Sequence, residues 1–173
     1  MNTNPFHLRT ALTRAAVVAT GAGAVALSVV GAPAASASPQ DDLWRMINDR
    51  HVAAGCAPYG GSQALVDTAV SIAKTMVNPP GGIAGNGRVP ADSMLAGRGY
   101  HVTSWGEADY IINGQGSPQA ALDFWMNNPT RDIFPNCNNR DLATAVWIQN
   151  GKWAAVALAA SPGGTPAAPP IVR

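Results

Sequence analysis

Few side chains in this sequence could carry out acid–base chemistry. Beyond residue 37 the chain has two histidines, His51 and His101, and Glu107 is its sole glutamate. A carboxylate and an imidazole can share general acid–base catalysis, so Glu107 with His101 is one candidate pair for a hydrolase. Asp109 follows Glu107 by two residues, and these two carboxylates form the candidate pair for glycoside hydrolysis, which needs two acids at a defined separation. The sequence has no Gly-x-Ser-x-Gly elbow and so offers little support for a serine nucleophile.

Two cysteines, Cys56 and Cys137, are the other reactive side chains. In an exported protein an even number of cysteines favours a disulfide bond between them. That bond would close a loop of about 80 residues, for which chain entropy allows roughly 4 kcal/mol of stabilisation as an upper figure. The alternative is a metal-binding pair, but the sequence has no Cys-x-x-Cys motif, and neither cysteine has a histidine at the spacing of a metal motif.

Residues 1–37 have the three-part build of a cleavable export signal. A basic start is followed by a weakly apolar run over residues 15–30, and Ala35-Ser36-Ala37 matches the small-x-small rule for cleavage before Ser38. This run of about 16 residues is shorter than the roughly 20 that span a bilayer, which disfavours a transmembrane anchor. We therefore expect a secreted protein, extracellular or in the cell envelope, with no transmembrane segment after cleavage.

The charge balance of the remaining chain excludes some classes of partner. The predicted signal contains two of the eleven basic residues, so nine remain against ten acidic ones, a net charge of about −1. Such a balance creates no field that would attract nucleic acid. We therefore expect that the protein does not bind nucleic acid. We also expect it to be a monomer. The length of residues 38–173 fits one domain with its own core.

Helical patterns dominate the first two thirds of this domain. A first helix is predicted from about Asp41 to Ala54, with Ser38 and Pro39 as its start, because apolar residues recur at i, i+4 spacing and acidic residues stand in its first turn. His51 lies on its apolar stripe and is expected to be a core histidine. A second helix is predicted to start after Ser62 as N-cap and to end near Val77, before a loop rich in glycine and proline.

The last helices and the strands follow. A short helix is predicted over 91–96, a short strand over 100–105, and a helix that begins at Ser117-Pro118 and ends at Asn128-Pro129. Asn150-Gly151 predicts a tight turn between two strands, Leu142 to Gln149 and Lys152 to Ala159. Residues 162–173 are expected to be a disordered tail. This order predicts an α+β fold, with helices packed on a small antiparallel sheet over residues 38–161.

Four sequence blocks together resemble one known family. They are Ile47-Asn48-Asp49-Arg50 with Ala54-Gly55-Cys56-Ala57-Pro58, then Gly99-Tyr100 with Trp105-Gly106-Glu107-Ala108, then the helix from Ser117 to Trp125-Met126, and finally Cys137. In this order they are similar to the bacterial form of the CAP superfamily (cysteine-rich secretory, antigen 5 and pathogenesis-related 1 proteins), over most of the chain after residue 37. The resemblance implies an α-β-α sandwich and a bond from Cys137 back to the first helix.

The resemblance also implies a cleft, in which many CAP domains hold a divalent metal with two histidines and two acidic residues. Of these four metal-binding residues, this sequence keeps only the acidic Glu107. His51 and His101 fall on neither of the family's histidine positions. We therefore expect neither metal nor cofactor, and we take Glu107, His101 and Trp105 as candidates for the cleft. The superfamily's reported lipid and sterol binding implies a ligand or an envelope component. A non-enzymatic binding domain is therefore expected, with the hydrolase as the alternative.

Overall fold

The computed structural model describes residues 38–80 and 89–163 of the chain. The predicted export signal (1–37), most of the glycine- and proline-rich loop (81–88) and most of the predicted tail (164–173) lie outside the described residues. The elements are, in chain order, α1 (Pro39–Ala53), α2 (Gln63–Val77), α3 (Ala91–Ala96), β1 (Val102–Asn113), α4 (Pro118–Met126), a 3-10 helix (Pro129–Ile133), β2 (Asp141–Gln149) and β3 (Lys152–Pro162).

The three strands form one antiparallel sheet in the order β1-β3-β2. Strands β2 and β3 are joined by the predicted Asn150-Gly151 turn, in which both residues have positive φ angles, 53° and 68°. Two positive φ angles in a two-residue hairpin are the geometry that an Asn-Gly pair favours. The sequence-based prediction of this hairpin is confirmed.

Strand β3 forms the middle of the protein, and all of its residues from Trp153 to Ser161 are buried. On one face Trp153, Ala155, Ala157 and Ala159 pack in a core with α1 and α4 residues. On the other face Val156, Leu158 and Ala160 pack in a second core with α2 and α3 residues. A strand covered on both sides must be apolar throughout. The architecture is therefore α+β with helices on both faces of the sheet, as predicted.

Strand β1 is longer than its sequence indicates. The alternation in the sequence predicts a short extended piece over 100–105, whereas the strand continues to Asn113, which lies opposite Lys152 of β3. Glu107, Asp109 and Asn113 are residue types that strands usually avoid. Their place in the strand is set by pairing with the buried β3, which outweighs the local preference.

Caps define the starts of two helices. Ser38 and Asp41 form a capping box at α1, and the Ser117 hydroxyl accepts a hydrogen bond from the Ala120 amide at α4, 3.1 Å away. Both agree with the predicted helix starts. Ser62 stands at the N-cap position of α2, as predicted, but its side chain makes no capping hydrogen bond.

Cys56 and Cys137 form a disulfide bond, with Cα atoms 5.1 Å apart. The bond connects the chain just after α1 to the segment that precedes β2, and it excludes the alternative of a metal-binding cysteine pair. Among the described helices, none is both long enough and apolar enough to span a membrane.

Candidate functional site

Trp105 and Glu107 project from the same face of β1. Trp105 lies opposite Ala160 of β3, and Glu107 lies opposite Leu158. Directly opposed residues of an antiparallel pair share a face, and both β3 residues belong to the core under α2 and α3. Trp105 and Glu107 are two positions apart along the strand, so their Cα atoms are about 7 Å apart. The structure therefore brings two of the three predicted cleft residues together.

The same face continues to Asp109, which lies opposite Val156. We call Trp105, Glu107 and Asp109 the β1 ledge. The Trp105 side chain is 41% exposed, whereas both acidic residues are half-buried. Asp109 was not among the predicted cleft residues, although its spacing of two from Glu107 is the signal that would have placed it there once β1 was known to be a continuous strand.

The opposite face of β1 anchors this part of the strand. A Cβ atom on Gly106 would lie 2.8 Å from a side-chain carbon of Ile133. Only glycine therefore lets the 3-10 helix pack this closely on β1, between the two ledge residues Trp105 and Glu107. Ala108 is fully buried in the core on this face. Packing on the opposite face of β1 therefore holds the backbone of the ledge in place.

Helix α4 fixes the backbone at the end of the ledge. The indole nitrogen of Trp125 donates a hydrogen bond to the carbonyl oxygen of Asp109, 2.9 Å away. The Trp125 side chain is fully buried, and its hydrogen bond ties α4 to β1. The tryptophan of the Ser117–Met126 block thus helps to position the ledge.

His101, the third predicted cleft residue, lies away from Glu107. Val102 is opposite Pro162 and Glu107 is opposite Leu158. Val102 and Glu107 are therefore four positions of β3, or about 13 Å, apart. His101 is one residue farther along and exposed, and its carbonyl accepts a hydrogen bond from the Gly163 amide. Shared general acid–base catalysis needs a separation near 3 Å, or one bridging water, and side chains perpendicular to one strand do not converge over this length.

His51 is a core residue, as predicted, with 1% of its surface exposed. Its Nδ1 lies 2.7 Å from the Phe134 carbonyl oxygen, and because a carbonyl only accepts, Nδ1 carries the proton. The ring stacks on Tyr59 with centroids 3.7 Å apart, and the Tyr59 hydroxyl donates to the same carbonyl at 3.1 Å. Burial raises the pKa of Tyr59 to about 12. These contacts hold the segment near Cys137 against α1.

The ledge does not fit the divalent metal that many CAP domains hold. Within residues 38–80 and 89–163, no three side chains from histidine, cysteine, aspartate and glutamate come together as a ligand set. His51 donates to a carbonyl in the core, and His101 precedes β1. The ledge has two carboxylates and an indole, whereas imidazole is the ligand that zinc-like ions favour.

Comparison with solved structures identifies the fold. An extracellular protein of Bacillus anthracis that contains an SCP domain superposes with a TM-score of 0.54 at 16% identity. An outer surface protein of Borrelia burgdorferi gives 0.56 at 10% identity, and a cysteine-rich secretory protein of Staphylococcus aureus gives 0.50 at 12%. The fold of this chain is CAP-like. The predicted resemblance is confirmed at the level of the fold.

The superpositions on the Bacillus, Borrelia and Staphylococcus proteins cover 69%, 70% and 69% of this chain, respectively. The CAP-like chain spans 91% of the Borrelia protein but only 39% and 38% of the other two. No family profile matches the sequence, and no curated protein matches it. The fold was therefore recognisable from the three-dimensional arrangement at identities of 10–16%.

Proposed function

We propose that this chain is a secreted, non-enzymatic CAP-like domain that binds a ligand of the cell envelope at the β1 ledge, with lipid as the ligand class. The observation that carries the proposal is the placement of Trp105 and Glu107 on one face of β1. A partly exposed indole offers an apolar platform, and a carboxylate accepts hydrogen bonds from hydroxyl or ammonium groups. This pairing suits an amphiphile, whose chain would contact Trp105 and whose headgroup would contact Glu107.

Two features support export. The Cys56–Cys137 bond belongs to the chemistry of oxidising compartments. The structurally similar proteins of Bacillus anthracis and Borrelia burgdorferi are described as an extracellular and an outer surface protein. The predicted export signal, residues 1–37, is consistent with both.

The positions of the two histidines support a binding role over catalysis. His51 is buried and bonded to the Phe134 carbonyl, and His101 is separated from Glu107 by more than the length of four strand residues. Neither imidazole is placed to exchange a proton with Glu107. The ledge offers contact surface and hydrogen-bond acceptors, which are sufficient for binding.

The test is a lipid-binding titration of the exported protein. Phosphatidylglycerol vesicles and a fluorescent fatty acid are the probes, and Trp105→Ala is the test variant. The matched control is Phe124→Ala, which removes another exposed aromatic ring, 47% accessible, from α4. Loss of an aromatic contact of about 1–1.5 kcal/mol corresponds to roughly five- to tenfold weaker binding for Trp105→Ala, with no change for Phe124→Ala. Equal binding by both variants and wild type, or no binding of either probe, contradicts the proposal.

The alternative function is an envelope-directed hydrolase that acts through Glu107. One observation favours Asp109 over His101 as its partner: Glu107 and Asp109 share the ledge, with Cα atoms about 7 Å apart. Two neighbouring acids are the minimal set for glycoside hydrolysis. Release of reducing sugar from purified envelopes, abolished by Glu107→Gln, would establish this alternative. Activity that survives Glu107→Gln unchanged would exclude it.

A further inference from the structure

Ser38 and Asp41 form the capping box at the start of α1. Its hydroxyl donates a hydrogen bond to Oδ2 of Asp41 at 2.6 Å, and its backbone nitrogen donates to the same oxygen at 3.3 Å. In return, the Asp41 amide donates to the Ser38 hydroxyl at 3.3 Å. Pro39 occupies the first helical position, where its missing N–H costs no hydrogen bond. The Asp41 carboxylate is therefore held close to the nitrogen of Ser38.

The predicted cleavage site lies immediately before this nitrogen. In the precursor the Ser38 nitrogen is a neutral amide with one N–H. Hydrolysis of the Ala37–Ser38 peptide bond consumes one water, leaves a carboxylate on Ala37 and turns the Ser38 nitrogen into an ammonium group. An ammonium group has three N–H donors and a positive charge. At 3.3 Å from Asp41 Oδ2, the same atom then forms an ion pair where the precursor has a neutral hydrogen bond.

We propose that Ser38 is the first residue of the exported protein and that its α-ammonium group is bound by Asp41, so that removal of the leader creates a charged N-cap for α1. The inference rests on the export part of the proposed function and is independent of the ligand. A cut farther upstream would carry the ammonium away from Asp41 by about 3.8 Å of chain per residue. A cut after Ser38 would remove the capping hydroxyl itself.

Some of the other charges near the start of α1 favour an ammonium group on Ser38, and others disfavour it. The positive end of the helix dipole disfavours an ammonium at this place, while Asp42 in the same turn favours it and is itself paired with Arg45. Pro39 and Gln40 line a shallow groove with Val146, Trp147 and Ile148 of β2. Lys74 of α2 places its ammonium group over the ring of Trp147, one of the groove residues. Asp41 is the acidic residue whose carboxylate accepts hydrogen bonds from Ser38.

The experiment uses the full precursor, expressed and exported by a host, with the mature protein purified from the medium. Intact-mass measurement gives the first residue. The pKa of the α-amino group is then measured from the pH dependence of acetic anhydride labelling, in wild type, Asp41→Asn and Asp42→Asn. Asp42→Asn is the matched control, because it removes the same charge from the same turn without touching Ser38.

We expect a mass that begins at Ser38. We also expect an α-amino pKa higher in wild type than in Asp41→Asn, by roughly half a unit to one unit for an exposed ion pair, with a smaller drop in Asp42→Asn. A different first residue, or equal pKa values in wild type and Asp41→Asn, overturns the proposal. Failure of the precursor to be cleaved overturns the export premise as well, whereas loss of lipid binding alone leaves the charged N-cap in place. Unchanged thermal unfolding of both variants excludes a folding defect as the cause of a pKa difference.

Discussion

The Phe134 carbonyl accepts two hydrogen bonds, and this sharing predicts a non-additive response to mutation. His51 Nδ1 donates at 2.7 Å and the Tyr59 hydroxyl donates at 3.1 Å. Phe134 and His51 are almost completely buried. Removing either donor leaves the carbonyl with the other one. Removing both leaves a buried acceptor with neither of these donors, a situation that costs more than the loss of two ordinary hydrogen bonds.

The magnitudes follow from the contacts. Tyr59→Phe keeps the ring that stacks on His51 and removes only the hydroxyl, so we expect a loss of about 1 kcal/mol in the free energy of unfolding. His51→Ala removes one hydrogen bond and creates a cavity, which together cost about 2–4 kcal/mol. The double variant should lose the sum of these values and roughly 1–2 kcal/mol more, because the Phe134 carbonyl is then buried without its two donors.

The assay is urea unfolding followed by tryptophan fluorescence, with the Cys56–Cys137 bond intact and equal m-values required of all variants. Tyr110→Phe is the control, since Tyr110 packs against the same core but contacts Phe124 and Trp153. Its effect should add to that of His51→Ala. If the effects of His51→Ala and Tyr59→Phe also add to within about 0.5 kcal/mol, the shared acceptor is not the reason for their cost, and the reasoning is refuted.

Three further outcomes are expected. Burial raises the pKa of Tyr59 from 10.0 to about 12, so its contribution to stability is complete below pH 10 and lost between pH 10 and 12; alkaline denaturation should be less steep in Tyr59→Phe than in wild type. Gly151→Ala forces a φ of +68° on alanine, and chemical denaturation should show a loss of about 1 kcal/mol. Replacing Cys56 and Cys137 by serine opens a loop with a sequence separation of 81, and urea midpoints should report a loss of up to about 4 kcal/mol.

Local sequence was enough to predict α1 to α4 and the hairpin, but it did not predict the 3-10 helix Pro129–Ile133. The helix over 91–96 was predicted with the bounds that α3 has, and Pro118 begins α4 as predicted. The Asn150-Gly151 turn joins β2 and β3. The signals here are caps, apolar periodicity and turn residues, all of which act within a few neighbouring residues.

The candidate site was predicted only in part. Trp105 and Glu107 share a face of β1 because they are two residues apart in a continuous strand. His101 does not join them, because it precedes the start of β1 at Val102 and lies more than four strand residues from Glu107. The inclusion of Asp109 follows from the length of β1, and that length is set by pairing with β3 rather than by the residues of β1 themselves.

The sequence by itself determined where most elements start and stop, and it placed His51 on the apolar stripe of the first helix. The hydrophobic pattern is a local property, because the 3.6-residue and two-residue periods need no distant partner. Only the tertiary structure decided that His51 and Tyr59 meet at the Phe134 carbonyl, 83 and 75 residues away along the chain. It also decided that β1 runs on to form the ledge. Contacts over such separations depend on how the layers pack, which no local pattern specifies.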